Sequence, residues 1–208
     1  MFNDPPIAFR EFAMAENLPL ATIHGVVLEF LRGRVDAAIF GAQAVNAYVD
    51  NSRMTQAVDI LSPSADAVST ELSELLHRRF HIAVRIRSVA GGSGYRIYQI
   101  RTPTNRHLVD VRQTLELPAC QRIEGILVVS PPELVSMKVI SMAARPKTPK
   151  GLTDEVDLLR LLITFPELKT ETGSVLVSLH RQNATDNALQ IWQDLVMRDI
   201  RPETDDEY

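Results

Sequence analysis

The sequence predicts an α+β fold: a mixed sheet flanked by helices up to about residue 130, then a helical subdomain. Three observations predict it. Apolar residues recur at helical spacing in Leu20, Ile23, Val27, Phe30 and Leu31, and again in Val68, Leu72, Leu75 and Leu76. Between and after them lie short apolar runs and a period-two stretch, Ile82, Val84 and Ile86, that read as strands. Beyond Ser130-Pro131-Pro132 the periodic segments are helical. That proline pair is the one boundary the sequence marks. It separates an expected core, 1–130, from an expected helical subdomain, 131–208.

In chain order, residues 1–17 read as an arm with Phe9, Phe12 and Met14 available to pack. A helix follows over 18–31, a strand over 36–40, a helix over 42–49 and a strand over 57–61. Ser62-Pro63-Ser64 opens the next helix, with Ser64 as its cap and Asp66 in its first turn. It runs to about Arg79. Gly91-Gly92-Ser93-Gly94 reads as a hairpin turn rather than a phosphate loop, because strands follow it. Those strands cover 95–100, 107–111 and 123–129. Helices are expected over 133–144, 153–164, 173–181 and 186–198, with a frayed tail R-P-E-T-D-D-E-Y.

Composition removes several function classes. With 45% hydrophobic residues the chain can bury a core and is not disordered. A net charge of -4 argues against a broad footprint on nucleic acid, though not against a local basic patch. Arg78, Arg79, Arg85, Arg87, Arg96 and Arg101 gather around the hairpin, either as a solvated strand face or as a basic face for RNA or an acidic partner. Cys120 is the only cysteine, which excludes an internal disulfide and a cysteine metal site. A reducing cytoplasm is the simplest compartment. The N-terminus lacks the pattern of a signal peptide, and no apolar run suffices to span a bilayer, so no membrane partner is expected. Asn183-Ala184-Thr185 is a chance sequon in that setting. His77 and His81, four apart at a helix end, read as a C-terminal basic cap, and Cys120 as structural.

The chemistry gathers between Ala38 and Ser62, where strand, Gly turn, short helix and second strand succeed one another. Gly41 after an apolar strand lets backbone N–H groups approach a phosphate, and tight strand-to-helix turns also use Gly for its backbone freedom. Arg53 can hold a phosphate with both arms of its fork, and Thr55 can orient a carboxylate or phosphate. Asp59 and Asp110, each within an apolar strand, are candidate oxygen ligands for Mg²⁺. Lys138 interrupts an apolar helix stretch, so its charge needs a partner or water. Asp154 and Asp157 read as first-turn acids favoured by the helix macrodipole.

Three segments together carry a family resemblance: G-A-Q-A-V-N-A-Y with R-M-T-Q-A-V-D-I-L, then H-L-V-D-V, then P-P-E-L-V-S-M-K-V-I-S-M-A-A-R with T-D-E-V-D-L-L-R-L-L. Over roughly residues 36–165 the chain resembles the nucleotidyltransferase superfamily, and within it the toxin-type enzymes of bacterial abortive-infection systems. The resemblance implies a nucleotide site between the two halves. Gly41 and Ala42 would line the phosphates, with Arg53, Thr55 and Lys138 as further nucleotide contacts. Asp59 and Asp110 would hold Mg²⁺ or Mn²⁺, and Asp154 would complete the pocket. It implies a nucleoside triphosphate as substrate or ligand, RNA or a cognate protein as partner, and transfer of a nucleotidyl group. The sequence departs from the family where the first metal-binding Asp should stand: that position is Ala57, and Gln56 beside it points to the opposite strand face. Thr153 likewise replaces a usual Lys. The rival expectation is therefore an inactive derivative acting as a binding or regulatory module in a toxin–antitoxin or defence pair. A third is an interaction protein that dimerises through its helical half.

Overall fold

The computed structural model describes residues 19–50 and 53–202. The expected N-terminal arm and most of the expected frayed tail lie outside them. The architecture is α+β, and the chain forms two compact units. One comprises the described residues through Ala37 together with Gln56–Leu115; the other comprises Ala38–Thr55 and the described residues from Glu116.

The first unit holds helix α1 (Leu20–Leu31), strand β2 (Val58–Ser62), helix α3 (Ala65–Phe80), and strands β3 (Val84–Ser88), β4 (Gly94–Gln99) and β5 (Arg106–Gln113). Its strands run in the order β3-β4-β5-β2. β3, β4 and β5 pair antiparallel and β5 pairs parallel with β2. α3 packs on all four strands, against a face of buried apolar residues that includes Val58, Ile60, Ile97, Val109 and Val111. It contributes Val68, Leu72 and Leu76 at helical spacing. α1 lies on α3 and β5 through Ile23, Val27 and Leu31, each fully buried and worth about 1.5–3 kcal/mol by burial. Arg34 then clips the end of α1 to α3, pairing with Asp36 at 2.8 Å and Glu71 at 2.7 Å.

Ser64 occupies the N-cap of α3, but its side chain makes no capping bond. The Ala65 N–H donates instead to Gln113 Oε1 at 3.2 Å, so a neighbouring strand supplies the cap the sequence assigns to serine. At the other end His81 takes a left-handed conformation, φ 53, and its N–H closes on the His77 carbonyl. Gly94 is required by close approach: a Cβ there would lie 2.2 Å from the Val111 carbonyl oxygen.

The second unit holds β1 (Ala38–Phe40), α2 (Gly41–Asn46), β6 (Cys120–Ile123), β7 (Ile126–Val129), α4 (Pro131–Ala144), α5 (Pro149–Thr164), α6 (Ser174–Arg181) and α7 (Asp186–Met197). β1 runs parallel to β7, and β7 antiparallel to β6. The single strand expected over 123–129 is a hairpin. Glu124 and Gly125 both have positive φ, 48 and 84, the two-residue turn whose twist suits a hairpin. α4 is the hub of the helices, packing on α5, α6 and α7. Leu134, Val135 and Val139 meet a core that includes Leu158, Leu161, Leu179 and Trp192. A buried polar cluster joins α4 to α6: Ser178 Oγ donates to Glu133 Oε2 at 2.6 Å and Arg181 pairs with the same carboxylate.

α5 begins four residues before the sequence suggests. Thr148 Oγ1 accepts from the Gly151 N–H at 3.0 Å, and Pro149 fills the first helical position. Asp154 and Asp157 are therefore not in the first turn, and the macrodipole does not explain them. No helix among the described residues is long and apolar enough to cross a membrane.

Candidate functional site

Two clusters hold the residues singled out by sequence, one in each unit. In the first unit the register of the parallel pair sets Asp59 directly beside Asp110. Neighbours across a ladder project from the same face, about 4.8 Å apart. The two acids therefore share the face opposite α3. Asp110 Oδ1 accepts from Arg96 Nε at 2.9 Å. His107 Nε2 lies 3.3 Å from the same oxygen, at ion-pair distance but without hydrogen-bond alignment. A residue three along a regular strand would point away. The register shift between Ile97 and Tyr98 is a bulge that turns His107 onto the Asp110 side. Burial works to raise the Asp110 pKa, but His107 and Arg96 outweigh it and hold the carboxyl below its ordinary value. Nothing in the sequence spacing joins Arg96 or His107 to Asp110. The spacing alone places His107 on the wrong face.

The second cluster lies between α4, α5 and the segment after α2. Lys138 Nζ donates to Asp154 Oδ1 at 2.9 Å and to Asp157 Oδ2 at 2.6 Å. All three side chains are less than a tenth exposed. Arg53 closes the other side of Asp157 with both arms of its fork, Nε to Oδ1 and Nη2 to Oδ2, each at 2.8 Å. Arg145 Nη2 donates to Asp154 Oδ2 at 3.0 Å, and Ser141 Oγ to the same oxygen at 2.7 Å. Asn46 fixes the Arg53 backbone, donating to its carbonyl at 2.7 Å and accepting from its N–H at 3.1 Å. Burial alone would raise Asp157; the Arg53 and Lys138 contacts prevail and its pKa lies below the ordinary value. Lys138 has the partner its setting demanded, and that partner is a carboxylate pair. Asn46 and Ser141 were not legible as members, because an Asn in a short helix and a Ser on an apolar one have many commoner roles.

The remaining candidates are simply placed. Gly41 opens α2 with φ 67, a conformation that L side chains rarely adopt, and Ala42 follows it in the helix. Thr55 Oγ1 donates to Gln43 Oε1 at 3.2 Å. Ala57 lies just before β2, two residues ahead of Asp59, and offers no ligand atom. Cys120 Sγ donates to the Pro118 carbonyl at 3.2 Å; burial, with Glu133 nearby, pushes the thiol up to about 11, so it is no nucleophile at neutral pH. His77 Nδ1 contacts the Ile82 carbonyl at 2.8 Å.

The metal implied by the resemblance can be tested against these donors. Mg²⁺ demands near-octahedral oxygen coordination, and a two-metal centre needs carboxylates that bridge. The β2–β5 pair supplies two carboxylates, and Asp110 is already engaged by Arg96 and His107. Among the described residues no group of three or more His, Cys, Asp or Glu is arranged to hold a metal ion. The residues present do not fit a two-metal transfer centre.

No protein-family model matches the sequence, and no curated protein is similar to it in sequence. Solved structures are similar in fold. The Megavirus polyadenylate synthase aligns at TM-score 0.54 and 17% identity over 78% of this chain, which spans 36% of that synthase. The antibiotic-resistance factor ANT(2'')-Ia aligns at TM-score 0.50 and 14% identity, over 76% of this chain and 88% of its own. The chain has the nucleotidyltransferase fold. JHP933 from Helicobacter pylori shares it at TM-score 0.50 and 11% identity, over 84% of this chain and 89% of its own.

Proposed function

We propose that the chain is a nucleotidyltransferase-fold protein that no longer supports efficient metal-dependent nucleotidyl transfer and serves as a binding or regulatory module. The observation that carries this is Ala57. It stands two residues before Asp59, where the resemblance expects the first metal-binding acid, and the surviving pair has Asp110 tied to Arg96 and His107. The Lys138 cluster supports the same reading. Lys138 and Arg53, the expected phosphate contacts, are each held by carboxylates of α5. The setting the resemblance suggests is a cytoplasmic partner protein in a bacterial toxin–antitoxin or defence pair.

A second reading is favoured by the register of Asp59 beside Asp110. In it the chain binds a nucleoside triphosphate with Mg²⁺ or Mn²⁺ and transfers a nucleotidyl group to RNA or protein. Incubation with each labelled nucleoside triphosphate, either metal, and total RNA plus protein extract separates the two. The expected outcome is no transfer by the native chain and detectable transfer by Ala57→Asp. Transfer by the native chain that disappears in Asp59→Ala would establish the second reading.

A further inference from the structure

The polar face of the first unit's sheet carries more than the two acids. Arg85 lies opposite Tyr98, and Arg87 opposite Arg96, across β3 and β4. Tyr98 lies opposite His107, and Arg96 opposite Asp110, across β4 and β5. The His107 ring, turned to this side by the bulge, stacks on Tyr98 with centroids 5.0 Å apart and 29° between planes. Arg112, two residues beyond Asp110, falls on the same face. Arg85, Arg87, Arg96 and Arg112 are all exposed.

Like charges directly opposite one another destabilise a pair of strands, yet Arg87 faces Arg96. Asp110 engages Arg96, while Arg85 and Arg87 have no carboxylate partner among the described residues. Charge on β3, an edge strand of this unit's sheet, also blocks pairing with other chains. The aromatic stack one strand further in has no part in that defence.

We propose that the polar face of β3, β4 and β5 binds single-stranded nucleic acid, with its arginines on phosphates and the Tyr98–His107 stack as a platform for an unpaired base. A polyanion relieves the Arg87–Arg96 repulsion from the Arg87 side, where no carboxylate among the described residues pairs, as Asp110 does for Arg96. A stack of two rings extends naturally to a base, because every base has a flat apolar face. A duplex keeps its bases stacked inside and offers none to Tyr98. Asp59 bounds the site on the β2 side, and Asp110, paired with Arg96 inside it, turns phosphate toward Arg85 and Arg87. The net charge of -4 does not oppose this, since the arginines are concentrated on one face. Single-strand binding at this face does not depend on nucleotide binding or on the proposed function.

Fluorescence anisotropy tests it with labelled oligouridylate and oligothymidylate of about 16 nucleotides, a matching duplex, and polyglutamate. The native chain is expected to bind a single strand, with a slope of log affinity against log salt of about -2 to -3. Arg85→Ala with Arg87→Ala reduces that slope by about 1.4. Tyr98→Ala weakens binding about tenfold at unchanged slope. Lys147→Ala with Lys150→Ala, exposed in the other unit, changes neither. Preference for the ribose or the deoxyribose strand supports the proposal and names the sugar. Absence of binding at low salt overturns it. So does equal binding of single strand, duplex and polyglutamate, or indifference to the Arg85 and Arg87 changes, which lie on the surface and leave the fold intact.

Discussion

The two acid-and-arginine clusters use the same residue types in opposite circumstances. On β2 and β5, Asp110 is about a quarter exposed and its partner Arg96 half exposed, 50%. Water screens such a pair, and its contribution is about 0–1 kcal/mol. On α4 and α5, Lys138, Asp154 and Asp157 are buried, and Arg53, Arg145 and Ser141 complete their hydrogen bonds. There each charge is held by its neighbours, and removing one strands the others. Burial decides the role. A charge on the sheet face keeps its contact with water. A charge in the helical cluster has become part of what ties α5 to α4 and to the segment after α2.

The strongest way to break this contrast is to delete one carboxylate from each cluster. Asp157→Ala leaves Lys138 with Asp154 alone and the Arg53 fork without its acceptor, in a buried setting. It is expected to cost about 3–5 kcal/mol, read as a lower urea midpoint at unchanged m-value. Asp110→Ala, whose partner Arg96 is half exposed, is expected to change stability by about 1 kcal/mol or less. Equal losses would show that burial does not separate the clusters.

Acid sharpens the comparison. Asp157 and Asp110 both have folded-state pKa values below the ordinary one. In each, burial works upward and is overcome, by Arg53 and Lys138 for Asp157 and by His107 and Arg96 for Asp110. A depressed carboxylate stabilises the fold above its unfolded pKa of about 3.9, and that stabilisation is lost as pH falls through the folded value. The native chain should therefore lose stability below about pH 4. Urea midpoints measured across pH should show a shallower acid limb in Asp157→Asn, and a smaller change in Asp110→Asn because water screens its partners. An acid limb untouched by Asp157→Asn would refute the assignment.

Much of the fold was legible because periodicity reports burial. Ile23, Val27 and Leu31 at spacing of four, and Val84 with Ile86 at spacing of two, name their elements directly. The start of α5 was also written, in Thr148-Pro149, but an apolar stretch begins only later and drew the boundary with it. The hairpin at Glu124-Gly125 was hidden because apolar residues flank a two-residue turn without a longer polar break. For the sites, single positions were legible and partnerships were not. Asp59 and Asp110 could be named, since an acid within an apolar strand is conspicuous. That Asp157 receives both Lys138 and Arg53 joins residues 19 and 104 apart, and only the tertiary fold brings them together. His107 reaches Asp110 through a bulge, which alternation cannot foresee.

A more local change separates the frame of the helical cluster from its charges. Thr148 accepts from the Gly151 N–H at 3.0 Å and donates to the Arg145 carbonyl at 3.0 Å, so it starts α5 without touching Asp154 or Asp157. Thr148→Ala removes the cap and should cost about 1 kcal/mol, well under the loss from Asp157→Ala. The damage should stay local, because a frayed first turn can reach water while the ion pairs further along the helix stay dry. Hydrogen exchange distinguishes the cases. Amides of 151–153 should exchange faster in Thr148→Ala, and those around Asp157 should keep their protection. Acceleration around Asp157 as well would mean that the cap and the buried charges open as one unit, and that the cluster holds α5 less firmly than its burial implies.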